Sequence, residues 1–209
     1  MRLIDIHTHH GDAADGCCIL SCGNAIPDGA AHVSVGLHPW EIDEHWAGYI
    51  DAVAAIAGDA RVKAIGECGI DIPKGTAHVE QQIAVLKRHI EISEAVGKPL
   101  VLHVVKGQEV VMRLRKECRP TQAWIIHGFR GKPEQLRQYI AVGFYISFCT
   151  LFNPDALRAV PLERLLVERD MDSLPLADHY ANVAATLGIG VSELAAAIER
   201  NCATCGIGW

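Results

Sequence analysis

Apolar residues occur along this chain in short blocks that turn-forming or polar residues separate, a pattern typical of β-strands. The blocks predict eight strands, over residues 2–7, 17–22, 32–37, 62–67, 99–104, 123–127, 143–148 and 164–168. A short loop with Gly11, Asp12, Asp15 and Gly16 is predicted between the first two strands, and a turn over 68–71 after the fourth. Several of these blocks end in a polar residue, which therefore lies at the carboxyl end of its predicted strand.

Between the later blocks, apolar residues recur at helical spacing, as in Val79, Ile83, Leu86 and Ile90. This predicts helices over 46–57, 76–96, 108–118 and 176–187, one from Pro133 to Gly143, and a short one after Asn153. A last helix is predicted over 192–202 with Ser192 as its N-cap.

Eight strands interleaved with helices predict a (β/α)8 barrel, the TIM barrel, in one domain over 1–209. The first two connections are too short for full crossover helices, so a shortened barrel is expected, below the roughly 250 residues typical of this fold. The alternative is an open doubly wound sheet, but the chain contains neither Gly-x-Gly-x-x-Gly nor a Walker A sequence.

The amino-acid composition is that of an acidic, globular protein. Nineteen Lys and Arg against 25 Asp and Glu give a net charge of −6, so no global field attracts nucleic acid or an anionic membrane. No apolar run approaches the roughly 18 to 20 residues of a membrane span, and a cytoplasmic protein is expected. The eight cysteines interrupt apolar segments like small buried hydrophobes, and Cys202 and Cys205 form the one spaced pair.

Candidate chemistry begins in the first strand, with Asp5, His7 and His9 at alternate positions. Alternate residues of a strand share a face, so both imidazoles point to one place, and Asp5 below them could hold a ring proton. Because an isolated His-x-His is often just a surface strand, a metal site requires further ligands.

Such ligands stand at the ends of other predicted strands: Glu67, His103, His127 and Asp170. Active sites of TIM barrels lie at this end of the strands. Four imidazoles and two carboxylates suit a pair of divalent ions with one bridging carboxylate. Glu168, on the same face as Asp170 but deeper, is expected to be an internal hydrogen-bond partner.

Five short motifs follow one another along the chain: Asp-x-His-x-His at 5–9, Gly-x-His-Pro at 36–39, Gly-Glu-x-Gly-hydrophobic-Asp at 66–71, His-x-Phe-x-Gly at 127–131 and Glu-x-Asp at 168–170. In this combination and order they resemble the TatD family of metal-dependent nucleases and hydrolases. The resemblance implies that one ion is held by His7, His9 and Asp170, the other by His103 and His127, and both by Glu67. It also implies a water nucleophile between ions of zinc, magnesium or manganese, with Asp170 taking its proton.

The chain departs from the family pattern mainly where substrate would bind. Val104 and Val105 replace the usual Ser-Arg, leaving Lys106 as the nearest cation, and Arg169 stands where threonine is usual. Arg130 is either a phosphate ligand or a solvated loop residue. His38 either reaches the substrate or caps a strand.

Three functions remain open at this stage. The resemblance favours a metal-dependent phosphodiesterase that acts on nucleic acid, with DNA as the main substrate. No binding to a membrane and no obligate protein partner are expected, and the protein is expected to be a monomer or a weak oligomer. Action on nucleic acid requires a positive patch near the site, for which the candidates are Lys74, Lys106, Arg130 and Lys132. The acidic net charge favours a metal-dependent amide or ester hydrolase of small molecules. The third is a non-catalytic binding barrel, which the complete ligand set weakens.

Overall fold

The computed structural model describes residues 1–10 and 17–209, which form eight parallel strands in one sheet. They are β1 Asp5–Thr8, β2 Cys18–Cys22, β3 Val33–Val35, β4 Val62–Asp71, β5 Leu100–Val105, β6 Trp124–Ile126, β7 Tyr145–Phe148 and β8 Leu165–Val167. Each strand pairs with the next along the chain. The amide of Asp170 donates to the carbonyl of His7 at 3.0 Å, and that of His9 to the carbonyl of Asp170 at 3.0 Å, so the sheet closes between β8 and β1. The predicted barrel is confirmed.

The described chain has seven α-helices, five in connections between strands and two after β8. They are α1 Trp46–Ile56, α2 Val79–Val96, α3 Gln108–Cys118, α4 Pro133–Ala141, α5 Pro154–Ala159, α6 Leu176–Leu187 and α7 Val191–Thr204. The connection from β2 to β3, residues 23–32, contains no helix. The predicted loop with Gly11, Asp12, Asp15 and Gly16 lies outside the described residues. No single helix in the described part of the chain is long and apolar enough to cross a membrane, although α6 and α7 reach that threshold together as a pair bent by 101°.

Two sequence predictions at element ends were wrong. The last helix begins at Val191 with Gly190 as its N-cap, not with Ser192. The turn predicted over 68–71 is strand, because β4 continues to Asp71 and stays paired with β5. At Gly69, φ is +148° and a Cβ atom would lie 2.0 Å from the carbonyl oxygen of His103. Glycine at this position therefore reflects the close packing of β4 against β5. Because the strand continues through it, the strand face that carries Glu67 extends to Asp71.

The core fills the barrel and the layer between strands and helices. Phe144 packs edge to face against Trp124 and against Tyr139 of α4, and all three rings are buried. The hydroxyl of Tyr180 in α6 accepts from the amide of Ile4 at 3.0 Å and donates to its carbonyl at 2.8 Å. These contacts anchor helices to the strands that carry the site.

A buried histidine of α2 makes stability depend on pH. In His89, Nδ1 donates to the carbonyl of Val85 and Nε2 accepts from the amide of Leu37, both at 2.9 Å. Burial lowers the pKa of His89 to about 4, against 6.5 for an exposed imidazole. Its contribution to stability is therefore complete above pH 6.5 and is lost as the pH falls toward 4, by up to about 3 kcal/mol.

The check is urea unfolding of the wild type and His89→Gln from pH 7.5 to 4.5. We expect the difference in unfolding free energy between the two proteins to shrink as the pH falls. A difference that is constant over this range would contradict the assignment.

Candidate metal centre

The carboxylate of Glu67 lies at the carboxyl end of the barrel with imidazoles on both sides. Its Oε1 atom is 3.1 Å from Nε2 of His38, 2.9 Å from Nδ1 of His103 and 2.8 Å from Nε2 of His127. Its Oε2 atom is 3.2 Å from Nε2 of His7 and 3.3 Å from Nε2 of His9. Each oxygen of one carboxylate thus has its own group of nitrogens.

The barrel geometry produces this convergence. His7 points inward from β1 and has no exposed surface, whereas His9, just past the strand end, keeps 34% of its side chain exposed. Asp170 follows β8 with φ of +57°, and its Oδ1 atom lies 3.7 Å from Nε2 of His9. Adjacent parallel strands carry all these residues to the same end of the barrel.

Three groups of potential ligand atoms lie within 4.8 Å of one another in the described chain: His7, His9 and Asp170; His7, Glu67 and His127; and His38, Glu67 and His103. The first is the set predicted for one ion. His103 and His127, predicted to share the other, have ring nitrogens 3.4 Å apart. Two nitrogens bound to one tetrahedral zinc at 2.0–2.1 Å would be roughly 3.3 Å apart, so this spacing is compatible with a shared ion.

Two further carboxylates orient the imidazoles of β5 and β6. Asp71 accepts from Nε2 of His103 at 3.1 Å, and Glu168 lies 3.2 Å from Nδ1 of His127. With one proton of each ring held by these carboxylates, the nitrogen that faces Glu67 is the one that would give up its proton to a metal. The predicted internal role of Glu168 is confirmed.

Sequence reasoning gave Asp71 no role, although it stands on the same strand face as Glu67. Glu67, Gly69 and Asp71 stand at alternate positions, which on a strand places them on one face. This pattern could have identified Asp71, but a turn had been predicted over 68–71. Asp71 also accepts a 2.7 Å hydrogen bond from the indole of Trp40.

Asp5 does not hold the ring proton of His7, and that prediction was wrong. Its carboxylate accepts from Nε of Arg169 at 2.8 Å and from the Arg169 amide at 3.1 Å. Burial raises the pKa of Asp5 to about 6, although Arg169 opposes the shift. Among the described residues, neither ring nitrogen of His7 has a hydrogen-bond partner, so this buried imidazole has unused ligand capacity.

The charges of the site depend on one another. Burial alone would raise the pKa of Glu67, but the charge of His127 and hydrogen bonds from three imidazoles hold it well below its usual value. Burial alone would lower the pKa of His127, but Glu67 and Glu168 hold it well above its usual value. A divalent cation would take the place of such protons. The donor set and the unused nitrogens of His7 therefore fit a metal.

His38 lies close enough to Glu67 to be considered either as a metal ligand or as a residue that contacts the substrate. Its Nδ1 atom accepts from the amide of Trp40 at 3.1 Å, so the neutral ring carries its proton on Nε2, the atom that faces Glu67. A protonated nitrogen donates hydrogen bonds and does not coordinate a metal. Metal ligation is thus disfavoured, and both predicted alternatives stay open: Nδ1 caps the backbone at Trp40, and Nε2 faces the cavity where a substrate would bind.

The lysine and arginine side chains predicted to form a positive patch lie at different distances from the site. A guanidinium nitrogen of Arg130 lies 3.9 Å from Asp170, and Nζ of Lys74 lies 5.1 Å from the centre of the Trp40 ring. Lys106 is exposed just after β5, and Lys132 is the N-cap residue of α4. Lys106 and Lys132 do not line the cavity of about 460 Å³ that opens over Glu67.

Comparison with known proteins identifies the family. The profile described as TatD related DNase matches residues 24–204. The chain belongs to this family. It is 26% identical to the uncharacterized metal-dependent hydrolase YjjV of Escherichia coli over 69% of its own length and 60% of that relative. It is 29% identical to the 3'-5' ssDNA/RNA exonuclease TatD of Erwinia billingiae, over 66% of its length and 56% of that relative.

The solved structures confirm the fold of this TatD-family chain. The crystal structure of YjjV from Escherichia coli superimposes with a TM-score of 0.85 at 20% identity, over 98% of both chains. The resemblance first seen in the motifs is thereby confirmed for family and fold, while the roles of single residues stay predictions.

Proposed function

We propose that this chain is a divalent-metal-dependent hydrolase that cleaves phosphodiester bonds in nucleic acid. The observation that carries the proposal is the Glu67 carboxylate, whose two oxygens each face a separate group of imidazoles at the mouth of a TIM barrel. The names of two relatives support the two parts of this proposal: one is called a metal-dependent hydrolase, and the other a ssDNA/RNA exonuclease.

His7, His9 and Asp170 would hold one ion, His103 and His127 the other, and Glu67 both. Bound ions polarise a phosphoryl oxygen and lower the pKa of a water molecule. Imidazole-rich donors favour zinc over magnesium and manganese, which suit oxygen ligands.

The chain's own residues supply proton transfer and substrate contacts. The partly exposed carboxylate of Asp170 faces the cavity and is placed to accept a proton from water. The Nε2–H group of His38 is placed to donate to a phosphoryl oxygen beside Glu67. Arg130, beside Asp170 and more than half exposed, can turn to a phosphate of the substrate.

A small-molecule amide or ester hydrolase is the second candidate. It is favoured by the lining of the cavity, which among the described residues includes Glu41, Glu67 and Asp170 but neither Lys nor Arg. A two-ion site polarises a carbonyl as readily as a phosphoryl oxygen.

The test combines metal analysis with two substrate classes. Protein purified without chelator is expected to contain zinc and to degrade single-stranded DNA, and chelation should abolish this activity. His7→Ala with His9→Ala should lower the metal content by about one ion per chain and remove turnover. The matched control is His45→Ala with His78→Ala, which changes two exposed histidines outside the cavity.

Full metal content and turnover in the His7/His9 double variant would refute the assigned site. Turnover of an uncharged carboxylic ester without any cleavage of DNA would favour the second candidate. Monomeric state and cytoplasmic location remain proposals that size-exclusion chromatography and fractionation would examine.

A further inference from the structure

The cavity over Glu67 extends well beyond the metal-binding residues. One side of it, here called the arm, runs toward the carboxyl ends of β2 and β3 and the start of α1. The arm is lined by Ser21, Cys22, Gly23, Gly36, Glu41 and Tyr49. None of these residues belongs to the metal centre, and the proposed chemistry does not use them.

Two glycines of the arm are closely packed by their neighbours. A Cβ atom on Gly23 would lie 2.0 Å from the hydroxyl oxygen of Tyr49, and one on Gly36 would lie 2.8 Å from the backbone of Gly66. The connection after β2 has no helix to cover this side of the barrel. The arm is therefore bounded by close packing at Gly23 and Gly36 and is not covered by a helix on the side of this connection.

The arm offers uncharged hydrogen-bonding groups and one carboxylate. Among its described lining residues are the hydroxyls of Ser21 and Tyr49 and the carboxylate of Glu41, but no Lys or Arg. A second phosphate would be repelled by Glu41, whereas a neutral ring with amide or amino groups would find donors and acceptors.

Trp40 lines the same cavity, with its ring beside the rings of His38 and His103. Its indole N–H is held by Asp71 at 2.7 Å, yet 45% of the residue is exposed, and Lys74 lies above its ring. An indole held in place at the edge of a cavity is a surface on which a planar base can stack. The flexible ammonium of Lys74 can leave the ring for a neighbouring phosphate.

We propose that the arm binds the nucleoside on one side of the scissile phosphate, with its base against Trp40 and its polar edge toward Tyr49 and Glu41. This deepens the proposed function and rests on it, because the phosphate must lie at Glu67 for the nucleoside to reach the arm. The arm would then select substrates that carry a base at this position.

The test uses two phosphodiesters with the same leaving group, thymidine 5′-(p-nitrophenyl phosphate) and methyl p-nitrophenyl phosphate. In the metal-loaded enzyme, Cys22→Phe fills the arm, and Tyr49→Phe removes only the hydroxyl. Cys118→Phe, at an exposed position of α3, is the matched control. We expect the ratio of kcat/KM for the thymidine ester to that for the methyl ester to fall at least tenfold in Cys22→Phe and severalfold in Tyr49→Phe. The control should keep the wild-type ratio.

A second measurement is binding of thymidine 5′-monophosphate and of inorganic phosphate by calorimetry. Cys22→Phe should weaken binding of the nucleotide at least tenfold relative to phosphate. An unchanged ratio in both measurements would overturn the arm assignment. If the wild type cleaves neither diester, the proposed function fails, and nucleotide binding alone then decides whether the arm holds a nucleoside. Should Cys22→Phe not fold, Tyr49→Phe decides both measurements.

Discussion

Replacing Glu67 with glutamine is expected to lower turnover more than about 100-fold and to weaken both ions together. Loss of a residue that only supports a ligand typically costs 10–100-fold, so loss of a central ligand should cost more. Both ions should be affected because the two carboxylate oxygens face different imidazole groups, at 2.8–3.1 Å and at 3.2–3.3 Å. Metal titration of the apoprotein, followed by calorimetry, measures the two affinities.

Glu168→Gln is the matched control for Glu67→Gln, because Glu168 is also a buried carboxylate but contacts only His127 of the proposed ligands. It should weaken the ion at His103 and His127 and leave the one at His7 and His9 in place. Loss of a single ion in Glu67→Gln, with the second bound at wild-type affinity, would refute the bridging role. Thermal unfolding of each apoprotein separates metal loss from misfolding.

Replacing Arg169 with alanine is expected to destabilise the fold by about 3–5 kcal/mol, the usual cost of removing one partner of a buried ion pair. Asp5 has no exposed surface and Arg169 only 14%, with 2.8 Å between Nε and Oδ2. Without the guanidinium, the carboxylate of Asp5 is left buried with no countercharge from that side chain. Urea unfolding at pH 8, where Asp5 is ionised, measures the loss.

Two further variants interpret the Arg169 result. Adding Asp5→Asn to Arg169→Ala should restore part of the stability, because an amide leaves no buried charge. Arg158→Ala breaks an exposed pair with Asp155 and should cost no more than about 1 kcal/mol. Equal small effects of Arg158→Ala and Arg169→Ala would show that the Asp5 pair does not stabilise the junction of β1 and β8.

The ion pair also explains how this chain accommodates arginine before Asp170. Asp5 lies in β1 and Arg169 lies two residues after the end of β8, where the barrel closes, and each is close in sequence to a proposed ligand: His7 in one case and Asp170 in the other. The pair fixes the relative position of these strands at the site.

The sequence by itself determined the barrel and the residues gathered at its mouth. Strands and helices followed from local periodicity and turn residues, and the ends of parallel strands must meet at one edge, which placed His7, Glu67, His103, His127 and Asp170 together. The family motifs extended this to a metal-dependent hydrolase.

Only the tertiary structure decided which partner each side chain takes. Asp5 pairs with Arg169, 164 positions away, and Asp71 orients His103 across the interface of β4 and β5. The extension of β4 depends on the close approach of Gly69 to β5, which a local reading of glycine as a turn cannot detect. Such pairings depend on strand register and on competition among buried polar groups, and these are settled by packing across the barrel and not by neighbours in the chain.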